Sequence, residues 1–164
     1  MEVLGYIPVF SQGVADLIVP IQREEFGIEI TYQDQPDLQD IAGFYQNGTG
    51  NFWVALDGSQ VVGTIALKDI GENQTALRKM FVAPSHRGKD KGVAAELLTT
   101  LLGHAKMVGL KDIFLGTTAE FLAAHKFYEK HGFDLIEAND LPQSFPRMAV
   151  DTRFYRLDIR SVEA

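Results

Sequence analysis

The chain has 164 residues, of which 46% are hydrophobic and 23% charged, and its formal net charge is −7. The length predicts one domain over residues 1–164, and the absence of cysteine excludes disulfides, thiolate zinc sites and a cysteine nucleophile. The negative charge argues against a nucleic-acid surface, because phosphate backbones bind clustered positive charge.

Neither a membrane span nor a secretory leader is predicted. No apolar run approaches the length that crosses a bilayer, and the first residues lack the basic segment that opens a leader. We therefore expect a cytoplasmic protein with no membrane partner.

Two helices are predicted in the N-terminal part of the chain. Ser11 can cap a helix over residues 12–25 whose apolar side chains recur on one face, and Pro20 predicts a kink or a break within it. A second, shorter helix is predicted over residues 36–46, because its apolar side chains also recur at helical spacing.

Strands and helices alternate in the remainder of the chain. The turn Asp57-Gly58-Ser59 joins two β-branched and aromatic runs, which is a hairpin signal. In chain order, the predicted elements are strands over 51–56, 60–68 and 74–82, a helix over 92–108, a strand over 112–116, a helix from the capping box Thr117-Thr118-Ala119-Glu120 through His131, and strands over 133–137 and 154–159. Residues 141–152 are predicted to form an ordered loop. This order indicates an α+β fold built on a mixed sheet.

A basic, glycine-containing loop between a strand and a helix carries the main functional signal. Amides at the start of a helix, framed by Arg87, Lys89 and Lys91, are suited to bind a pyrophosphate. The alternative is an ordinary tight turn with solvated lysines. The loop lacks the glycine patterns of dinucleotide and nucleoside-triphosphate sites, and we interpret it as an acyl-coenzyme A site.

The same loop resembles the central motif of the GNAT superfamily of acyl-CoA-dependent N-acetyltransferases. In that family a strand ending in Val-x-Pro leads to an Arg/Gln-x-x-Gly-x-Gly/Ala loop and a helix with paired leucines. Val82-Ala83-Pro84 supplies the strand end, and residues 89–94 followed by Leu97-Leu98 supply the loop and helix, with Lys89 in the Arg/Gln place. A second register begins at Arg87 and places Asp90 where the first glycine belongs.

A downstream helix resembles the second motif of the family, Ala-x-x-x-Tyr-x-x-x-Gly-Phe. Its counterparts here are Ala124, Tyr128 and Gly132-Phe133, while Phe121 stands where the family often has Asn. The resemblance covers residues 51–133, including the central hairpin with Gly63 in its second strand.

The resemblance implies the fold, the cofactor and the catalytic acid. The fold is a mostly antiparallel, twisted mixed sheet flanked by helices. The co-substrate is acetyl-CoA, with no metal, and Tyr128 protonates the leaving thiolate. The implied cofactor-binding residues are Phe81 and Val82 for the pantetheine arm, Arg87, Gly88, Lys89, Asp90, Lys91, Gly92, Val93 and Ala94 for the pyrophosphate, and Phe121 and Ala124 on the downstream helix.

The sequence offers several candidates for the general base and only a broad class for the acetyl acceptor. Arg78 occupies the position where many relatives carry a catalytic Glu, and an arginine cannot act as a base. The remaining candidates are a water chain and the side chains of Asp69, Glu72, Glu120 and His125. The acceptor is expected to be a small-molecule or peptide amine bound by residues 11–46 and 141–152.

Two other functions compete with acetyl transfer to an amine. A non-catalytic acyl-CoA-binding or regulatory module is favoured by Arg78 and Phe121, which depart from the family pattern. Transfer of a longer acyl chain, or transfer to a non-amine acceptor, depends on the width of the pocket at the sulfur end. A homodimer is compatible with the resemblance, because many relatives pair.

Overall fold

A computed structural model describes residues 1–118 and 122–162. Seven strands form one sheet in the order β1-β2-β3-β4-β5-β7-β6, in which the β4–β5 pair is parallel and the other neighbours are antiparallel. The strands are β1 (Glu2–Gly5), β2 (Asn51–Asp57), β3 (Gln60–Gly71), β4 (Gln74–Val82), β5 (Asp112–Thr117), β6 (Asp134–Ile136) and β7 (Arg153–Asp158). The predicted mixed, mostly antiparallel sheet is confirmed.

The helices are α1 (Ser11–Pro20), α2 (Pro36–Gln39), α3 (Ile41–Tyr45), α4 (Val93–Met107) and α5 (Leu122–Lys130). Helices α1, α3 and α4 pack on the central strands and bury one continuous apolar core with them. In the described residues no helix has the length and apolar character that a bilayer crossing requires.

Two N-terminal helices differ from their predicted extents for local reasons. The helix predicted over residues 12–25 changes after Pro20 into a π-helical turn, Ile21–Glu25, in which the Phe26 amide reaches back to the Ile21 carbonyl. The helix predicted over residues 36–46 is interrupted at Asp40, because the Asp40 side chain accepts a hydrogen bond from the Gly43 amide and starts a new helix.

Strand β1 was not predicted. Its four residues are mostly exposed and show no apolar alternation, so the sequence carries no strand signal there. Pairing with β2 at the edge of the sheet is what orders it.

The absence of a side chain at Gly63 allows α4 to approach the sheet closely. A Cβ atom at this position would lie 2.9 Å from Leu97 Cδ1 and 3.0 Å from Val93 Cγ1. The first turn of α4, and with it the preceding basic loop, is therefore held against the central strands.

Candidate functional site

The separation of two parallel strands opens a large cleft beside β4. Strands β4 and β5 pair only through Gln74–Ala76 and Asp112–Phe114, so the C-terminal part of β4 has no strand on that side. The cleft beside it has a volume of about 1190 Å³. Its walls come from the open part of β4, the turn after α1, the end of β5, helix α5 and residues 149–152.

A bulge in β4 accompanies this separation. Thr64 of β3 pairs with Phe81 and Ala66 pairs with Arg78, so two residues of β4 stand opposite Ile65 alone. Lys79, in the bulge, has φ +54°, and its carbonyl accepts a hydrogen bond from the Thr64 hydroxyl at 2.7 Å. A bulge increases strand twist, which directs the end of β4 away from β5. Phe81 and Val82 lie on this open segment, along the cleft.

The basic loop forms a closed turn that leads directly into α4. The amides of Lys91 and Gly92 both donate to the Gly88 carbonyl, at 3.1 and 3.3 Å, and Gly92 has φ +70°. No side chain caps the start of α4. Helix starts leave their first amides without intrahelical partners. Within residues 1–118 and 122–162, no protein acceptor bonds to the loop and first-turn amides of Gly88, Lys89, Asp90, Val93 and Ala94.

The three basic side chains of this loop have different surroundings. Lys89 and Lys91 are exposed, and in the described part of the chain no carboxylate lies within 4.0 Å of either ammonium. Arg87 instead forms two hydrogen bonds with the Glu25 carboxylate, at 2.6 and 2.9 Å, and its Nε donates to the Val82 carbonyl. Arg87 therefore ties the loop to the turn after α1, which sequence reasoning missed because the two residues are distant in the chain.

Tyr128 lies on the wall of the cleft formed by α5. Its side chain is buried against the rings of Phe133 and Tyr155, with ring centroids 5.5 and 6.1 Å away. Burial raises the pKa of Tyr128 above the ordinary tyrosine value, so the phenol stays protonated. Among the described residues, no protein group hydrogen-bonds to its hydroxyl. The hydroxyl is therefore available as a proton donor. Ala124, one turn earlier, lies on the same wall, whereas Phe121 is outside the described residues.

The acidic and histidine candidates for a general base do not line the cleft where they are described. Asp69 accepts hydrogen bonds from the amides of Thr49 and Gly71 near the β3–β4 hairpin, and Glu72 is exposed in that hairpin. His125 is buried, with Nε2 2.7 Å from the Thr118 carbonyl oxygen. Glu120 is outside the described residues.

Asp151 is a cleft residue that the sequence did not single out. An atom in the Cβ position of Gly116 would come within 2.6 Å of Asp151 Oδ2, so this carboxyl lies against the end of β5. It accepts a hydrogen bond from the Met148 amide, and burial raises its pKa. The only sequence signal was its place in the predicted loop over residues 141–152, which carries no motif.

No metal site is formed by the described residues: they contain no group of three or more His, Asp or Glu side chains arranged to hold an ion. The cleft therefore combines the unpaired backbone edge of β4 with the phenol of Tyr128.

Comparison with known proteins relates this arrangement to a family. The profile of the acetyltransferase (GNAT) family matches residues 15–133. A crystal structure of a GNAT-family acetyltransferase from Staphylococcus aureus Mu50 is 36% identical, with a TM-score of 0.90 over 96% of this chain and 98% of that one. The PaiA N-acetyltransferase of Thermoplasma acidophilum, solved in complex with coenzyme A, is 15% identical over 96% of this chain and 98% of its own, and its TM-score of 0.74 shows the shared fold.

A curated relative from Danio rerio, an N-acetylaspartate synthetase, is 40% identical over 99 residues, which are 59% of this chain. The match covers 34% of that relative, so this chain corresponds to about a third of its length. The family profile spans most of the chain, and the S. aureus structure matches nearly all of it. The chain therefore belongs to the GNAT family of acetyltransferases.

Proposed function

We propose that this protein transfers the acetyl group of acetyl-CoA to a primary amine by direct attack, with Tyr128 as the general acid. The observation that carries the proposal is the position of Tyr128: it lines the cleft beside the open part of β4, and its hydroxyl has no hydrogen-bond partner among the described residues. Family membership supplies the reaction class, and the cleft supplies residues that suit it.

The described residues fit coenzyme A as a ligand. The unpartnered amides between Gly88 and Ala94, with the exposed ammonium groups of Lys89 and Lys91, offer hydrogen bonds and positive charge to a diphosphate. The open edge of β4 at Phe81 and Val82 offers backbone groups to an extended amide-containing arm. The amides of Lys91 and Gly92 already donate to Gly88, so we expect them to shape the turn more than to bind phosphate directly.

The proposed reaction balances without a metal or a redox group. The amine nitrogen attacks the thioester carbonyl carbon, a C–N bond forms and the C–S bond breaks. The thiolate takes the proton of Tyr128, and the amine loses one proton to a base or to water. The protein contributes mainly by positioning the two reactants, and by a proton donor that burial keeps neutral.

Asp151 is our candidate for the base. It is a cleft carboxyl whose pKa is raised by burial, whereas Glu25, the other carboxylate among the described residues that line the cleft, is held by Arg87. An acceptor that enters as a neutral amine needs no base. Aspartate is the acceptor named for the D. rerio relative, so amino acids belong in the first set of amines tested.

The test measures release of coenzyme A thiol from acetyl-CoA across a panel of amines, with mass spectrometry of the acetylated products. We expect amine-dependent thiol release from the wild-type protein and a loss of at least tenfold in Tyr128→Phe. Tight binding of coenzyme A by calorimetry without turnover on any amine would instead identify an acyl-CoA-binding module of the same fold. Cytoplasmic location and a homodimer stay predictions, the latter open to light-scattering measurement.

A further inference from the structure

Arg78 lies on the open part of β4 and lines the cleft with a half-buried side chain. Its guanidinium lies over the rings of Phe44 and Tyr45 in α3, 5.7 and 6.0 Å from their centroids. Contacts with aromatic rings hold a guanidinium in position, while its N–H groups stay free to form hydrogen bonds. Arg78 is therefore positioned by aromatic contacts and not by an anion.

No acidic side chain of the described residues contacts Arg78. The other two cations of the cleft wall are paired, Arg87 with Glu25 at 2.6 Å and Lys79 with Asp37 at 3.4 Å. Within residues 1–118 and 122–162, no carboxylate lies within 4.0 Å of the Arg78 guanidinium and no hydrogen bond from it is made. A half-buried guanidinium in this state is suited to bind an anion that enters the cleft.

Asp151 is the acidic group that interacts electrostatically with Arg78, and it does not neutralise Arg78 by contact. Its carboxyl lies against Gly116 of β5, across the gap between the separated strands, and Oδ2 accepts the Met148 amide. Burial raises the pKa of Asp151 despite attraction to Arg78 and Arg147. An acceptor between β4 and β5 therefore meets Arg78 on one side and Asp151 on the other.

The position of Arg78 separates its anion from the diphosphate of coenzyme A. Val82, the end of β4, is four positions beyond Arg78, which corresponds to at most about 13 Å in an extended strand. The amides proposed for the diphosphate lie beyond Val82, in the loop that starts α4. The anion that contacts Arg78 therefore belongs to the acceptor end of the cleft.

We propose that the acetyl acceptor is an amino acid, or a similarly small amine with a nearby carboxylate, and that Arg78 binds this carboxylate. This inference rests on the proposed acetyl transfer.

The test compares carboxylate and carboxamide acceptors in matched pairs: glycine and glycinamide, L-alanine and L-alaninamide, L-phenylalanine and L-phenylalaninamide. The variants are Arg78→Gln, Arg78→Lys and a control, Arg160→Gln. The control removes an exposed guanidinium from the turn Ile159–Ser161, which directly follows β7. We expect Arg78→Gln to lower kcat/KM for the carboxylates roughly 30-fold and for the carboxamides less than threefold. Arg78→Lys should recover part of the loss, and Arg160→Gln should change neither value. Melting temperatures of all variants check the fold.

A binding arm keeps this test independent of turnover. The N-acetyl derivatives of the same three pairs are titrated by calorimetry into the protein loaded with coenzyme A. Carboxylate-dependent binding that Arg78→Gln removes supports the inference even if turnover is absent, in which case only the proposed acetyl transfer fails. An equal loss for carboxylates and carboxamides, or no preference for carboxylates in the wild-type protein, would overturn the inference while leaving acetyl transfer intact.

Discussion

Arg87 and Glu25 form a two-point ion pair, with nitrogen–oxygen distances of 2.6 and 2.9 Å, although 62 residues separate them in the chain. The pair joins the basic loop before α4 to the π-helical turn after α1. Both side chains line the cleft that we propose binds acetyl-CoA. Arg87 therefore neutralises a carboxylate that would otherwise repel a diphosphate.

Removal of Arg87 should weaken coenzyme binding through this carboxylate. In Arg87→Gln, Glu25 becomes an unpaired negative charge at the cleft, and we expect the Kd for coenzyme A to rise about tenfold by calorimetry. The double variant Arg87→Gln/Glu25→Gln should recover most of this affinity. If the double variant binds as weakly as the single one, Arg87 acts on the diphosphate directly. If the single variant binds normally, Arg87 serves the fold alone.

Gly92→Glu should strongly weaken coenzyme binding. Gly92 has φ +70°, and a Cβ atom there meets no protein atom within 4 Å, so an added carboxylate extends into the space before the α4 amides. Gly58, in the β2–β3 turn, has φ +62° and equally open surroundings. Gly58→Glu therefore carries the same backbone strain, about 1–2 kcal/mol, and the same charge. We expect similar melting temperatures for the two variants and a loss of affinity on the order of 100-fold only in Gly92→Glu. Equal affinities would place the diphosphate elsewhere.

Tyr128→Phe should lower turnover more than coenzyme affinity. A general acid acts on charge that develops in the transition state, so we expect kcat to fall about 100-fold and the Kd for coenzyme A to change less than twofold. Because burial raises the pKa of Tyr128, the wild-type kcat should show no decline with a midpoint at or below pH 10, the ordinary range of tyrosine. Tyr155→Phe is the matched control, because the Tyr155 hydroxyl donates a hydrogen bond to the Glu129 carboxylate and Tyr155 is not among the residues that line the cleft. Unchanged turnover in Tyr128→Phe would remove Tyr128 from the chemistry.

The stability of the protein should depend on the buried ion pair between Lys79, which lies in the β4 bulge, and Asp37. Their side chains are 10% and 8% exposed, with the ammonium 3.4 Å from the carboxylate, which also accepts the Tyr45 hydroxyl at 2.6 Å. Asp37→Ala leaves a buried ammonium without its anion, so we expect the free energy of unfolding to fall by about 3–5 kcal/mol in urea titrations. The double variant Lys79→Met/Asp37→Leu should lose less free energy of unfolding than Asp37→Ala, because it leaves no unpaired charge buried.

The pH dependence of the Asp37→Ala variant gives an independent check. Burial lowers the pKa of Lys79, and attraction to Asp37 offsets part of this effect in the wild-type protein. The loss of Asp37 therefore lowers the pKa of Lys79 further, so below the ordinary lysine value the unfolded variant binds more protons than the folded variant, by a larger difference than in the wild type. The free energy of unfolding then rises with pH in that window. We expect the deficit of Asp37→Ala relative to wild type to shrink between pH 7 and pH 9.5. A deficit that does not change with pH would mean that Lys79 is not the destabilising group.

By itself, the sequence determined the elements whose signals are local. The helix predicted over residues 92–108 and the hairpin predicted at Asp57-Gly58-Ser59 depend on the spacing of neighbouring residues. Both predictions agree with the structure, in α4 and in the β2–β3 turn. The sequence also placed the basic loop directly before α4 and Tyr128 on the next helix, because each motif lies within one short segment.

The tertiary structure alone decided how the site is assembled. The opening between β4 and β5 arises from the pairing of two strands that α4 separates in the chain, and the bulge at Lys79 arises from the register of β4 against β3. The single strand predicted over residues 74–82 carries no sign of either. Asp151 reaches the cleft through a loop without a motif, and Arg78 faces Phe44 and Tyr45 across more than thirty residues of chain. Such contacts depend on long-range packing, whereas propensity and periodicity record only what each segment does with its neighbours.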